Sequence, residues 1–177
     1  MIFYNKTTLL PSLDELYILF IQARIIKTDC LFCIGSRIAI EHKQIGDQHS
    51  ILIWKTHSIF DCWYGKLTDP GSEFIAALDY TVNPDNDNVK IDYMIINDSE
   101  HGDLYKNYLD PATAHELIEN MIKFIEIIAK IHKVKKITMD VHNDLRIYNK
   151  YYKNNGFELT DRKYKDNQYW IETEKYV

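Results

Sequence analysis

Tyr151-Tyr152-Lys153-Asn154-Asn155-Gly156-Phe157 is the stretch on which the reading of this chain turns. Apolar residues recur at helical spacing from Asp144 to Asn154, so a short amphipathic helix is expected there, with Gly156 as its stop. A helix that must reverse at once needs positive φ, which glycine adopts without the steric cost a Cβ imposes. Phe157 then returns to the core, and Phe157–Thr160 and Gln168–Thr173 read as two closing strands.

Upstream of that segment Lys136–Val141 reads as a strand, and before it lies the strongest helical pattern in the chain. Leu117, Ile118, Met121, Ile122, Ile125, Ile128, Ala129 and His132 keep one apolar stripe. Pro111 is a good first-turn residue behind the cap candidate Asp110, and Lys130, His132 and Lys133 lie near the carbonyl end, where positive charge is favoured. Asn97–Asp110 is polar and irregular.

The first half reads as β after one helix. Ser12 with Glu15 has the form of a capping box, and Leu13, Leu16, Tyr17, Phe20 and Ala23 follow at helical spacing. Leu31–Ile40 and Ile51–Tyr64 are rich in β-formers with Gly46 and Asp47 between them. Glu73–Val82 and Val89–Ile96 complete an expected antiparallel meander across the polar turn Asn83–Asn88.

Bulk properties exclude several classes. The 177 residues, 46% hydrophobic and 27% charged, suffice for one packed domain spanning 1–177. A net charge of −5 argues against nucleic acid and anionic membrane surfaces as partners. Cys30, Cys33 and Cys62 are too sparse for a disulfide scaffold and point to a reducing, cytoplasmic setting; without a second close Cys or His pair they read as core residues rather than a zinc site. No apolar run is long enough for a membrane span, and Met1–Leu10 lacks the form of a signal peptide. The seven histidines show no metal spacing, so no metal is expected, and no nucleophile or P-loop motif is present.

A meander, a long helix, a strand, a shorter helix ending in Tyr151-Tyr152-Lys153-Asn154-Asn155-Gly156-Phe157, and two strands resembles the GNAT superfamily of N-acetyltransferases. Ile91–Ile96 is similar to that family's fourth strand and Lys135–Val141 to its fifth; the resemblance covers Phe74–Val177. It implies an α/β fold of the α+β kind: a mixed, mostly antiparallel central sheet with flanking helices, whose fourth and fifth strands splay.

The activity so implied is transfer of an acetyl group from acetyl-CoA to a primary amine of a small molecule or peptide; the alternative is a GNAT-fold binding or scaffolding protein without catalysis. Main chain of Met94, Ile95 and Ile96 would hold the pantetheine arm. Amides of Ala112, Thr113, Ala114 and His115 would meet the pyrophosphate at a helix N-terminus, and Asn143 and Asn149 would add contacts from the second helix. Where the family has Arg or Gln, two residues, Gly, one residue, then Gly or Ala, this chain aligns Leu109, Ala112 and Ala114; Asn143 lies nine residues before Tyr152 rather than the usual seven. His115 reads equally as a solvated residue or a phosphate contact.

Amine acetylation needs a deprotonated amine, a polarised carbonyl and a protonated leaving thiolate. The resemblance makes Tyr152 the acid, although it is also one of 13 tyrosines on a core-facing edge, and places a main-chain amide near Ile95 at the carbonyl. Asp92, in an otherwise apolar strand, is the candidate base because partial burial raises a carboxyl's proton affinity; simple alternation, with Lys90, Asp92 and Met94 on one face, explains it equally well. Glu73 and Asp79 are weaker candidates. Oligomeric state, a homodimer included, is left open.

Overall fold

The computed structural model describes residues 30–34, 38–55, 73–96, 111–142, 145–165 and 167–177. The Ser12 helix, Cys62, the stretch 97–110 with Leu109, and Asn143 lie outside the described residues. Eight strands form one sheet: β1 (Cys30–Ile34), β2 (Ile38–Ile45), β3 (Gln48–Lys55), β4 (Glu73–Asn83), β5 (Asn88–Ile96), β6 (Lys136–His142), β7 (Glu158–Lys165) and β8 (Gln168–Tyr176). The long helix α1 (Pro111–His132) links β5 to β6, and a composite helical segment beginning with α2 (Leu145–Ile147) links β6 to β7.

Strand order is β1-β2-β3-β4-β5-β6-β8-β7. Every neighbouring pair is antiparallel except β5 with β6, so the sheet is mixed and mostly antiparallel, as expected. The expected meander is β1 to β5. Its limits differ from the sequence reading where backbone bonding outvotes composition. The run Leu31–Ile40 divides into two paired strands, Cys30↔His42 through Ile34↔Ile38, around the Gly35-Ser36-Arg37 sequence. Gln48–Ser50 joins β3 because the Gly46–Asp47 turn sets Ile45 opposite Gln48, and the ladder continues whatever the side chains. The strand resembling the family's fourth is consequently the fifth described here.

Helix α1 packs across β4, β5 and β6. Leu117, Ile118, Met121, Ile122, Phe124, Ile125, Ile128 and Ala129 are all buried, whereas His132, expected on that stripe, is exposed at the last turn. Isoleucine costs a helix a few tenths of a kcal/mol relative to alanine, but burying each one is worth roughly 1.5–3 kcal/mol. Packing therefore decides the helix. A single ammonium ties its middle to the end of the chain: Lys175 Nζ donates to Glu126 Oε1 at 2.5 Å and to the Asn155 carbonyl at 2.6 Å.

Candidate active site

The parallel ladder between β5 and β6 has four rungs, Asn88↔Lys136, Val89↔Ile137, Lys90↔Thr138 and Ile91↔Met139, and stops. Both strands run on, β5 to Ile96 against β4 and β6 to His142 against β8. Among the described residues no strand fills the fork between them. The cause is a bulge: β4 pairs Tyr80 with Ile91 and Asp79 with Tyr93, leaving Asp92 as an extra residue. A bulge bends its strand and raises local twist, which turns β5 away from β6. Alternate N–H and C=O groups of Met94, Ile95 and Ile96 on the edge away from β4 face this fork.

The bulge also corrects the alternation read from sequence. Val89 and Ile91 are buried, Asp92 and Tyr93 are both exposed, and Met94 packs against the core. Met94 therefore does not share a face with Lys90 and Asp92. The extra residue has reset the period.

Asp92 is braced rather than buried. Its Oδ2 accepts a hydrogen bond from Thr81 Oγ1 at 2.5 Å, its Oδ1 lies 3.6 Å from Lys90 Nζ, and its side chain keeps 27% of its accessible surface. Partial burial is found instead at Asp79, whose Oδ1 is enclosed and has no hydrogen-bond partner among the described residues. Sequence reasoning missed Lys90 and Asp140. Lys90 Nζ is 3.8 Å from Asp140 Oδ2 as well, so one ammonium stands between carboxylates on the two arms just past the last rung. Only the register reveals this, since 48 residues separate Asp92 from Asp140 in sequence, 140 − 92.

At the start of α1 the first turn carries no acidic residue. The N–H of Thr113 belongs to the first turn, for which an α-helix supplies no internal acceptor. Ala112 is exposed and Ala114 fully buried, so the second alanine is a packing residue. His115 is half-buried, with Nε2 3.3 Å from Glu119 Oε1 and its ring 5.7 Å from the Tyr151 ring. That contact joins the first turn of α1 to the segment bearing Tyr152.

The Tyr152 segment is not the regular helix expected. One α turn, Leu145–Ile147, gives way to a π turn, Tyr148–Tyr152, and a 3-10 turn, Lys153–Asn155. Such wide turns are rare and concentrate at functional sites. Because i→i+5 bonding uses an extra residue per turn, the π turn takes up part of the longer spacing before Tyr152. The Asn-Asn pair now has a physical role. Asn155 Nδ2 donates to the Tyr151 carbonyl at 2.7 Å and Asn154 Nδ2 to the Lys150 carbonyl at 3.4 Å, serving carbonyls that the widened helix leaves over. Gly156 ends the segment at φ +83°, as expected, and Phe157 is buried.

Tyr152 is 5% exposed, its ring edge-on to Phe157 at 6.2 Å. Tyr148 Oη donates to the Phe157 carbonyl at 3.0 Å and fixes the exit. Asn149 is exposed, and Cys30 and Cys33 lie on β1. Among the described residues no three His, Cys, Asp or Glu are grouped to hold a metal ion, and no helix is long and apolar enough to cross a membrane.

No protein family matches the sequence, and no curated protein does. Solved structures do. A protein assigned as a streptothricin acetyltransferase from Bacillus anthracis, solved with acetyl coenzyme A, superposes with a TM-score of 0.50 at 13% identity, over 76% of this chain and 65% of that one. This chain thus matches just under two thirds of that protein's length. A nourseothricin acetyltransferase gives 0.47 at 10% identity over 84% and 88%, and a GNAT-family protein from Desulfovibrio desulfuricans 0.45 at 8% over 73% and 69%. With the strand order, the forked β5–β6 pair and the intervening long helix, this chain has the fold of the GNAT acetyltransferases.

Proposed function

We propose that the chain is an N-acetyltransferase that takes an acetyl group from acetyl-CoA to a primary amine. The observation that carries this reading is the fork: a parallel pair that ends at Ile91↔Met139 while both strands continue, in a sheet crossed by a long helix whose first turn has no acidic residue. The donor set fits the cosubstrate. Main chain at Met94–Ile96 would bond an extended amide-bearing arm as an added strand does, and the first turn of α1 would receive a diphosphate without a basic side chain.

Acetyl-CoA supplies the activated acyl group; the remaining roles fall to this chain. The Tyr152 hydroxyl would give its proton to the departing sulfur as the carbon–sulfur bond breaks. Asp92 would take a proton from the acceptor ammonium, so that a neutral nitrogen forms the new amide bond. The main-chain amide near Ile95 would polarise the carbonyl oxygen.

A second reading, a binding module of the same fold, draws on Ala112, whose Cβ stands where the family pattern has glycine. One experiment separates the two. Titration with acetyl-CoA should raise the melting temperature saturably, and addition of a polyamine, a peptide or an aminoglycoside should then release free CoA thiol. Binding without release would favour the module, and no binding at about millimolar acetyl-CoA would remove the acetyltransferase reading.

A further inference from the structure

Strand β7 lies at one end of the sheet order, paired with β8 and with no other described strand. Each of its eight residues, Glu158–Lys165, is exposed. Of the large hydrophobic residues exposed among those described, Leu159 at 40%, Tyr164 at 63%, Tyr169 at 57% and Tyr176 at 69% all belong to the β7–β8 hairpin. An edge strand is a template for another strand, and folded proteins commonly blunt it with charged side chains or a bulge. β7 has both, but its charges are sorted by sign so that the strand is complementary to itself: Glu158 and Asp161 come first, Arg162, Lys163 and Lys165 last.

We propose that β7 pairs antiparallel with β7 of a second copy of this chain, joining two sheets edge to edge about a two-fold axis at Arg162. The register follows from the bulge. Leu159 faces Thr173 and Asp161 faces Glu172, so Thr160 is extra and Leu159 and Asp161 occupy neighbouring rungs. An antiparallel self-pairing keeps main-chain donors opposite acceptors only when it is centred on a rung. Centred on Arg162, it sets Arg162 against its own copy once, on the axis, a like-charge pair that opposes the joint, and sets Glu158 against Lys165, Leu159 against Tyr164 and Asp161 against Lys163, each twice by symmetry. Two opposite-charge pairs and one aliphatic–aromatic pair are the combinations that stabilise facing strands. Lys163 is already paired with Glu172 of β8, so the second copy's Asp161 would extend that pair into a network. Asp161 Oδ1 accepts the Arg162 main-chain N–H at 2.7 Å, a bond the partner strand would replace. The proposal is independent of the acetyltransferase reading.

Sedimentation velocity on the full chain tests it. The unaltered protein should show a concentration-dependent dimer. Lys165→Glu, which sets two acidic pairs across the axis, should weaken dimerisation roughly tenfold, with circular dichroism and melting unchanged for the monomer. Glu158→Lys combined with Lys165→Glu should restore it. A monomer at every concentration tested, or a dimer indifferent to the single change or not recovered by the double one, overturns the proposal.

Discussion

Ile91 on β5 and Met139 on β6 are the last opposed residues of the parallel ladder, and the two strands part immediately beyond them. Both side chains are buried, at 1% and 5%, so the end of the ladder is pinned in the core under α1 rather than frayed at an edge. A fork rooted in packed side chains opens at a fixed place, because interiors at crystal-like density do not deform continuously. The bulge at Asp92 aims one arm, and β8 holds the other through seven rungs, Lys136↔Tyr176 to His142↔Trp170.

Tyr152 supplies the sharpest test of chemistry at that fork. Tyr152→Phe keeps the edge-on ring contact with Phe157 and removes only the hydroxyl. Loss of a general acid lowers turnover by about 10²–10⁴. The expected outcome is a kcat reduced on that scale, with saturable thermal protection by acetyl-CoA retained. Turnover within a factor of two of the parent would exclude Tyr152 as the acid; loss of protection as well would make it a binding or folding residue.

Away from the fork, Asp87 clasps the turn between β4 and β5 to Lys135, the residue before β6. Its Oδ1 accepts the Lys135 main-chain N–H at 3.0 Å and its Oδ2 lies 2.9 Å from Lys135 Nζ. The side-chain hydrogen bond from Lys135 is the leading cause that holds the Asp87 carboxyl below its usual 3.8, and the same bond raises Lys135 above 10.5. A depressed carboxyl contributes stability present above its unfolded pKa and lost as pH falls through the folded one. A raised ammonium contributes stability present below its unfolded pKa and lost as pH rises through its folded value. The stability difference between the parent and Asp87→Asn, measured by urea unfolding, should therefore be flat between those limits and shrink at both ends. A difference that does not vary with pH would show that the charge contributes nothing.

Much of this architecture was legible in the sequence because it rests on local rules. Gly156 had to adopt positive φ, Pro111 had to begin a helix, and the stripe from Leu117 to Ala129 had to face a core. Where the reading failed, the cause was long-range. Nothing near Asp92 in sequence says that β4 will leave it unmatched, yet that decides both its exposure and the phase of Met94. The meeting of Lys90 with Asp140 depends on strand register, which α1 and its flanking turns set. The π turn at Tyr148–Tyr152 was foreshadowed only by the long spacing from Asn143.

Two buried tyrosines of opposite bonding status give a prediction about the core. Tyr80 is 0% exposed, stacks on His49 with centroids 4.8 Å apart, and meets Phe124 edge-on at 6.1 Å. Its hydroxyl has no hydrogen-bond partner among the described residues, and burial pushes its phenol well above the usual 10.0. Tyr148, at 6% exposed, donates to the Phe157 carbonyl. A buried hydroxyl without a partner bears its desolvation cost uncompensated, whereas removing a bonded one also strands the acceptor at about 1–3 kcal/mol. Tyr80→Phe should accordingly hold the unfolding free energy or raise it by up to about 1 kcal/mol, seen as an unchanged or higher urea midpoint, while Tyr148→Phe lowers both. Equal losses at the two positions would mean that the Tyr80 hydroxyl has a bonding partner in solution, and the covering of β4 around it would have to be redrawn.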